Sequence, residues 1–155
     1  MGTITPNGKA TTVKKTFQRK TSVSTSIQAD PAIIWTLLTS ASDYPRWNTA
    51  ILGIEGTIGA GEKIKLRASL DPKRTFKLKV KEFQPEQKLV WGDAMGRREF
   101  TLLHNGKDAV VFTMEEKIGG PLFPLFARMI PPFDHSFEQF AASLKKEAET
   151  IMNHK

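Results

Sequence analysis

Few side chains in this sequence are placed to do chemistry. Arg98 and Glu116 fall on two alternating segments that read as one hairpin, and both come out on its apolar side. There a guanidinium and a carboxylate could orient a polar group of a ligand, or act as general acid and base. Tyr44, the single tyrosine, is the third candidate. Two readings of the pair stay open: both charges lie inside and pair, or both reach water near a sheet end. If buried they must pair, because an unpartnered charge costs several kcal/mol. His104, His135 and His154 are scattered, with no pair at metal-binding spacing, so no metal site is expected and each histidine reads as a surface or cap residue. The chain has no cysteine, which excludes a disulfide framework and a thiol nucleophile. No Gly-x-Ser-x-Gly, phosphate-cradling glycine loop or glycosidase-like carboxylate pair stands out, and no cofactor is expected.

The elements that must position these residues follow from periodicity. Val23, Thr25 and Ile27 alternate with Ser22, Ser24 and Ser26, the pattern of a half-buried strand over 18–28. Asp30-Pro31 supplies an N-cap and a first-turn proline, and Ile34, Trp35, Leu37 and Leu38 give the following helix, 31–39, its buried stripe. The Tyr44-Pro45-Arg46-Trp47-Asn48 stretch is a loop or a second short helix. Six more strands are then punctuated by turn signals at Gly59-Ala60-Gly61, Asp71-Pro72, Gln84-Pro85-Glu86 and Asn105-Gly106. In them Ile64, Leu66, Ala68 and Leu70 share a dry face opposite Lys63, Lys65, Arg67 and Ser69. Phe76, Leu78 and Val80 likewise stand opposite Lys77, Lys79 and Lys81. The lysines therefore read as a solvated sheet face rather than a nucleic-acid track. Strands 96–104 and 108–117 pair around Asn105-Gly106-Lys107. If Leu102 faces Val110 and Phe100 faces Phe112, Arg98 faces Met114, with Glu116 one diagonal away. Last comes a helix over 132–152, whose apolar stripe runs Phe133, Phe137, Phe140, Ala141, Leu144, Ala148 and Ile151.

The formal net charge is +7, but residues 1–20 hold five bases and no acid, leaving 18 bases against 16 acids in the remainder. Residues 1–17 are thus expected as a flexible basic tail before a single domain over 18–153. No apolar run approaches the roughly 20 residues needed to cross a bilayer, and no secretory signal or myristoylation pattern is present, so a cytoplasmic monomer or homodimer is expected.

This layout, an α+β chain with a seven-stranded antiparallel sheet and a long C-terminal helix, resembles the START-like (SRPBCC) superfamily over about residues 20–150. That superfamily includes polyketide cyclases, lipid-transfer domains and the birch pollen allergen group. The residues that carry the resemblance are Ile27-Gln28-Ala29-Asp30-Pro31 leading to Trp35 and Leu38, Tyr44 to Asn48, Leu89-Val90-Trp91, Arg98-Glu99-Phe100, and Phe140 to Glu147. The superfamily's frequent Trp-Asn-Pro stands here as Trp47-Asn48-Thr49.

The resemblance implies a helix-grip fold, a curved sheet around the C-terminal helix with an apolar cavity between them. Leu66, Ala68, Phe76, Leu78, Phe100, Phe112 and Met114 would then line the sheet side, with Arg98 and Glu116 as polar anchor. Phe133, Phe137 and Phe140 would line the helix side, and Trp47 and Phe126 the mouth. Three functions follow from different classes. The first is binding or transport of a lipid, polyketide or isoprenoid-like molecule. The second is a polyketide cyclase or dehydratase in which Arg98, Glu116 or Tyr44 holds and enolises a polyketone. The third is a protein or nucleic-acid interaction module acting through the basic tail.

Overall fold

The computed structural model of the protein describes residues 6–154. Its strands are β1 (Thr11–Lys15), β2 (Gln18–Ile27), β3 (Ile51–Glu55), β4 (Lys63–Ala68), β5 (Asp71–Gln84), β6 (Lys88–Gly92), β7 (Gly96–His104) and β8 (Val110–Gly119). They form one antiparallel sheet in the order β1-β2-β8-β7-β6-β5-β4-β3. Chain neighbours pair throughout, except where β2 closes against β8. Register shifts in the β3–β4, β4–β5 and β5–β6 pairings bend that half of the sheet, because an extra residue on one strand increases the local twist.

The sheet has eight strands, not seven. The additional one, β1, lies inside the segment expected as a tail. Its sequence lacks apolar alternation because its inward contacts are polar. Thr12 hydrogen-bonds Thr21 and donates to Asp134 at 2.6 Å, and the Ala10 N–H donates to Glu138 at 2.9 Å. An edge strand held through hydroxyls and carboxylates leaves no hydrophobic signature to read. Residues 1–5 of the expected tail lie outside the described residues.

Among the described residues there are four α-helices, α1 (Pro31–Thr39), α2 (Tyr44–Trp47), α3 (Phe123–Phe126) and α4 (Asp134–Asn153), with short 3-10 turns at Ala41–Asp43 and Ala127–Met129. The Asp30 side chain accepts from the Ala32 N–H at 2.9 Å, so α1 starts where the Asp-Pro pair set it. Pro45 sits in the first turn of α2, which ends at Trp47. Helix α4 lies across the inner face of the sheet, most closely on β2, and buries Phe137, Phe140, Ala141, Leu144 and Ala148. This α+β arrangement, a curved sheet gripping a C-terminal helix, is the helix-grip fold.

The β7–β8 register departs from expectation by two residues. Leu102 pairs with Phe112, Phe100 with Met114, and Arg98 directly with Glu116. The connection is longer than a two-residue turn: the Asn105 N–H bonds the Ala109 carbonyl, with Gly106 and Asp108 both at positive φ. A shift of two keeps every side chain on its face, so the apolar side survives while the partners change.

Candidate functional site

Between the inner face of the sheet and the N-terminal end of α4 lies a cavity of about 160 Å³. Strands β3 to β5 contribute Ile51, Leu66, Ala68, Phe76 and Leu78, and β6 adds Trp91. The far wall is Met129 to Pro131 and Phe133, from the segment that leads into α4, with Ser136 from the first turn of that helix. Leu70 on the β4–β5 turn, Asp71 and Arg74 at the start of β5, and Asp93 and Met95 on the β6–β7 turn stand at the mouth. The floor is apolar, the rim mixed.

The wall carries one charged pair. The Arg98 Nε donates to Glu116 Oε1 at 2.6 Å, and each side chain is only 16% exposed. Direct opposition across the β7–β8 ladder brings the groups together, and the Arg98 guanidinium lies 4.9 Å from the centre of the Phe137 ring on α4. Pairing, a cation–π contact and partial solvation offset the cost of taking these charges off the surface. Arg74 stacks at 4.5 Å on Phe76 where the β4–β5 register shifts.

The far wall is tied down by Arg19, which is 7% exposed. From β2 its Nη1 and Nη2 donate to the Ile130 and Pro131 carbonyls at 3.0 and 2.8 Å, and its guanidinium lies 4.6 Å from the centre of the Phe133 ring. Burial lowers its pKa from the ordinary guanidinium value, while the charges of Glu116 and Asp134 oppose that shift. The residue remains a cation bound to two carbonyls. Arg19→Ala is expected to free the 120–133 segment, since charged hydrogen bonds of this kind contribute about 1.5–3 kcal/mol each. Faster hydrogen exchange confined to those amides would be the signature. Unchanged exchange would mean that the wall holds itself.

Leu66, Ala68, Phe76, Leu78, Arg98, Glu116 and Phe133 line the cavity. Phe100, Phe112, Met114 and Phe140 are fully buried beside it, and Phe137 supports Arg98 from beneath. Trp47, expected at the mouth, is instead 7% exposed and packs against Tyr44 and Phe140 at centroid distances of 5.0 and 6.1 Å. Phe126 is half-buried against Phe123. Tyr44 is fully buried, its hydroxyl donates to the Leu38 carbonyl at 2.8 Å, and burial pushes its pKa far above the usual phenol range. That makes Tyr44 a structural strut between α1 and α2 rather than a proton donor to a ligand.

Some lining residues were not foreseen. Ile118 shares the parity of Glu116 and Met114, and Trp91 pairs with Arg98, so strand alternation could have found both. Arg74 and Met129 carry no such signal, because one sits where the strand register shifts and the other outside any strand. Among the described residues no group of three or more His, Asp or Glu side chains could hold a metal ion, and no helix is long and apolar enough to cross a membrane.

A family model described as "Polyketide cyclase / dehydrase and lipid transport" matches residues 18–149. No curated protein matches in sequence. Among solved structures, Zhui aromatase/cyclase from a Streptomyces species superposes with TM-score 0.70 at 12% identity, over 85% of this chain and 94% of that one. Norcoclaurine synthase from Thalictrum flavum gives 0.65 at 16% identity, over 91% and 98%. A START superfamily protein from Mycobacterium smegmatis gives 0.63 at 16% identity, over 85% and 98%. These likenesses are of fold, and with the family match they place the chain in the polyketide cyclase/dehydrase and lipid transport family of the START-like superfamily.

Proposed function

We propose that the protein binds a hydrophobic small molecule, of lipid, polyketide or isoprenoid-like character, in the cavity between the sheet and α4. The observation that carries this reading is an apolar wall interrupted by one charged pair, Arg98 and Glu116. Apolar surface drives a ligand in at about 25 cal/mol per Å², and a polar group fixes its orientation. Arg98 meets Glu116 through Nε, so its Nη groups can donate to an acceptor on the ligand.

Size narrows the class. At about 160 Å³ the cavity is close to the roughly 150 Å³ void that accepts benzene, and below the roughly 300 Å³ of a drug-sized pocket. This volume takes one ring or a short aliphatic segment, and the rest of a larger ligand would extend past Arg74 and Met95 at the mouth.

Native mass spectrometry of protein purified from cells, followed by identification of any molecule released on denaturation, tests this reading. Ala68→Trp fills the cavity from β4 and is expected to weaken binding of an apolar fluorescent probe by about tenfold or more, which is about 1.4 kcal/mol. Unchanged probe affinity in a folded variant would remove the cavity from the account.

The same pair favours a second reading, an enzyme of the cyclase or dehydratase type. Glu116 would take a proton from carbon while Arg98 stabilises the oxygen on which charge develops. Glu116→Gln would then abolish turnover of a polyketone and leave its binding within a few-fold. Equal losses in both would return the pair to a purely orienting role.

A further inference from the structure

Exposed hydrophobic side chains are unevenly spread over this molecule. Phe17, Leu70, Met95, Leu122, Leu125 and Met129 are 56%, 36%, 41%, 64%, 79% and 80% exposed. All six sit at the end of the sheet where the cavity opens. Phe17 is on the β1–β2 turn, Leu70 on the β4–β5 turn, Met95 on the β6–β7 turn, and the others on the segment that leaves β8. Backbone bonds join these pieces: the Gly119 N–H donates to the Met95 carbonyl and the Gly120 N–H to the Phe17 carbonyl, both at 3.0 Å. Leu70, Met95 and Met129 also line the cavity mouth itself. The turns toward the opposite end, over 28–30, 56–62, 85–87 and 105–109, carry none of the exposed large hydrophobics.

Charge follows the same axis. Around the apolar end stand Lys15, Lys73, Arg74 and Arg128 against Asp71 and Asp93, whereas the opposite turns hold Asp30, Glu62, Glu86 and Asp108 against Lys107. A second basic feature, on the β4–β5 hairpin, does not follow this axis. On its outer face Lys63 pairs with Lys79 and Lys65 with Lys77. Like charges directly opposite are destabilising, and among the described residues none of these four forms an ion pair. The adjoining outer face is balanced by contrast, with Lys88 and Arg97 each bridging Glu82 and Glu99. These four lysines lie toward the acidic turns, so the charge of the mouth rests on Lys15, Lys73, Arg74 and Arg128 and not on them.

From an apolar, cation-rimmed cavity mouth at one end and acidic turns at the other, we propose that the protein docks mouth-first on the surface of an anionic lipid bilayer. Leucine and methionine side chains enter the headgroup boundary while the flanking bases meet lipid phosphates, the combination by which peripheral proteins hold to membranes without spanning them. A nucleic acid fits less well, because the exposed aromatic at this end is the single Phe17, too few for a base-stacking platform. Docking goes beyond ligand binding in the cavity, and it is measured separately: vesicle partition needs no cavity ligand, and probe binding needs no vesicle.

The test is co-sedimentation of the full chain with phosphatidylcholine vesicles, with and without phosphatidylglycerol. Binding is expected only with the anionic lipid and should fall as salt rises. Leu125→Asp combined with Met129→Asp should lower partition by about tenfold or more, as should Lys73→Glu combined with Arg128→Glu. Leu103→Asp, which changes an exposed leucine on β7 away from the mouth, should bind as the parent does. Absence of binding to anionic vesicles overturns the proposal, as does equal binding by all variants. So does a dimer in sedimentation equilibrium that Leu125→Asp with Met129→Asp dissolves, since a second copy would then be what covers this end.

Discussion

Phe140→Ala should reduce the free energy of unfolding by about 4 kcal/mol, read as a lower urea midpoint at unchanged slope. Phe140 projects from α4 into the middle of the aromatic core. Its ring lies 5.5 Å from Phe100 and 6.3 Å from Phe112, where it is nearly parallel, and 6.0 and 6.1 Å from Tyr44 and Trp47. Helices α2 and α4 and strands β7 and β8 thus meet on one side chain that is 1% exposed. Truncation removes the transfer free energy and leaves a void that four rings from three directions cannot close together. Against a typical total of about 5–15 kcal/mol, the variant would be marginal at physiological temperature. A loss below about 1.5 kcal/mol would mean that the core repacks, and that α4 is held by its polar contacts with β1 and β2 instead.

Removing either partner of the Arg98–Glu116 pair should cost about 2–3 kcal/mol, somewhat below the ~3–5 kcal/mol seen for fully buried pairs because both side chains keep some contact with water. Glu116→Ala leaves a guanidinium among Phe137, Trp91 and Ile118 with its carboxylate gone. The double variant Arg98→Met with Glu116→Leu should recover most of that loss, since an apolar pair needs no desolvation. Stability and binding then separate: the double variant folds, yet binds a ligand carrying a hydrogen-bond acceptor at least about tenfold more weakly. A double-mutant cycle in denaturant gives the coupling directly. Additive single losses, with a coupling near zero, would show that the two charges answer to solvent and not to each other, and the pair would lose its standing as polar anchor.

Much of the architecture was legible because it rests on short-range patterns. Alternation in Ile64-Lys65-Leu66-Arg67 and Phe76-Lys77-Leu78-Lys79 gives each strand its inner face, whatever its neighbours do. Asp30-Pro31 starts α1 through a bond two residues long. The stripe from Phe137 to Ala148 gives α4 its buried side. The inward direction of Arg98 and Glu116 was readable in the same way, because parity survives a register shift of two.

What alternation could not supply is distance and partnership. That Arg98 meets Glu116 at 2.6 Å, and not Met114, depends on the length of the 105–109 connection, and so on backbone conformations at Gly106 and Asp108. That Tyr44 and Trp47 belong to the core depends on α2 folding under α4, where rings far apart in sequence fill one volume. β1 carries no hydrophobic signal because it and the residue before it meet α4 through hydrogen bonds from Thr12 and the Ala10 N–H, across more than a hundred residues. Which face of each element is apolar can be read from the chain alone, since that is a local matter of side-chain direction and solvation. Which apolar residues fill the core, which bound a cavity, and which stand exposed around its mouth emerges with the assembled fold, because those outcomes depend on how closely distant elements approach.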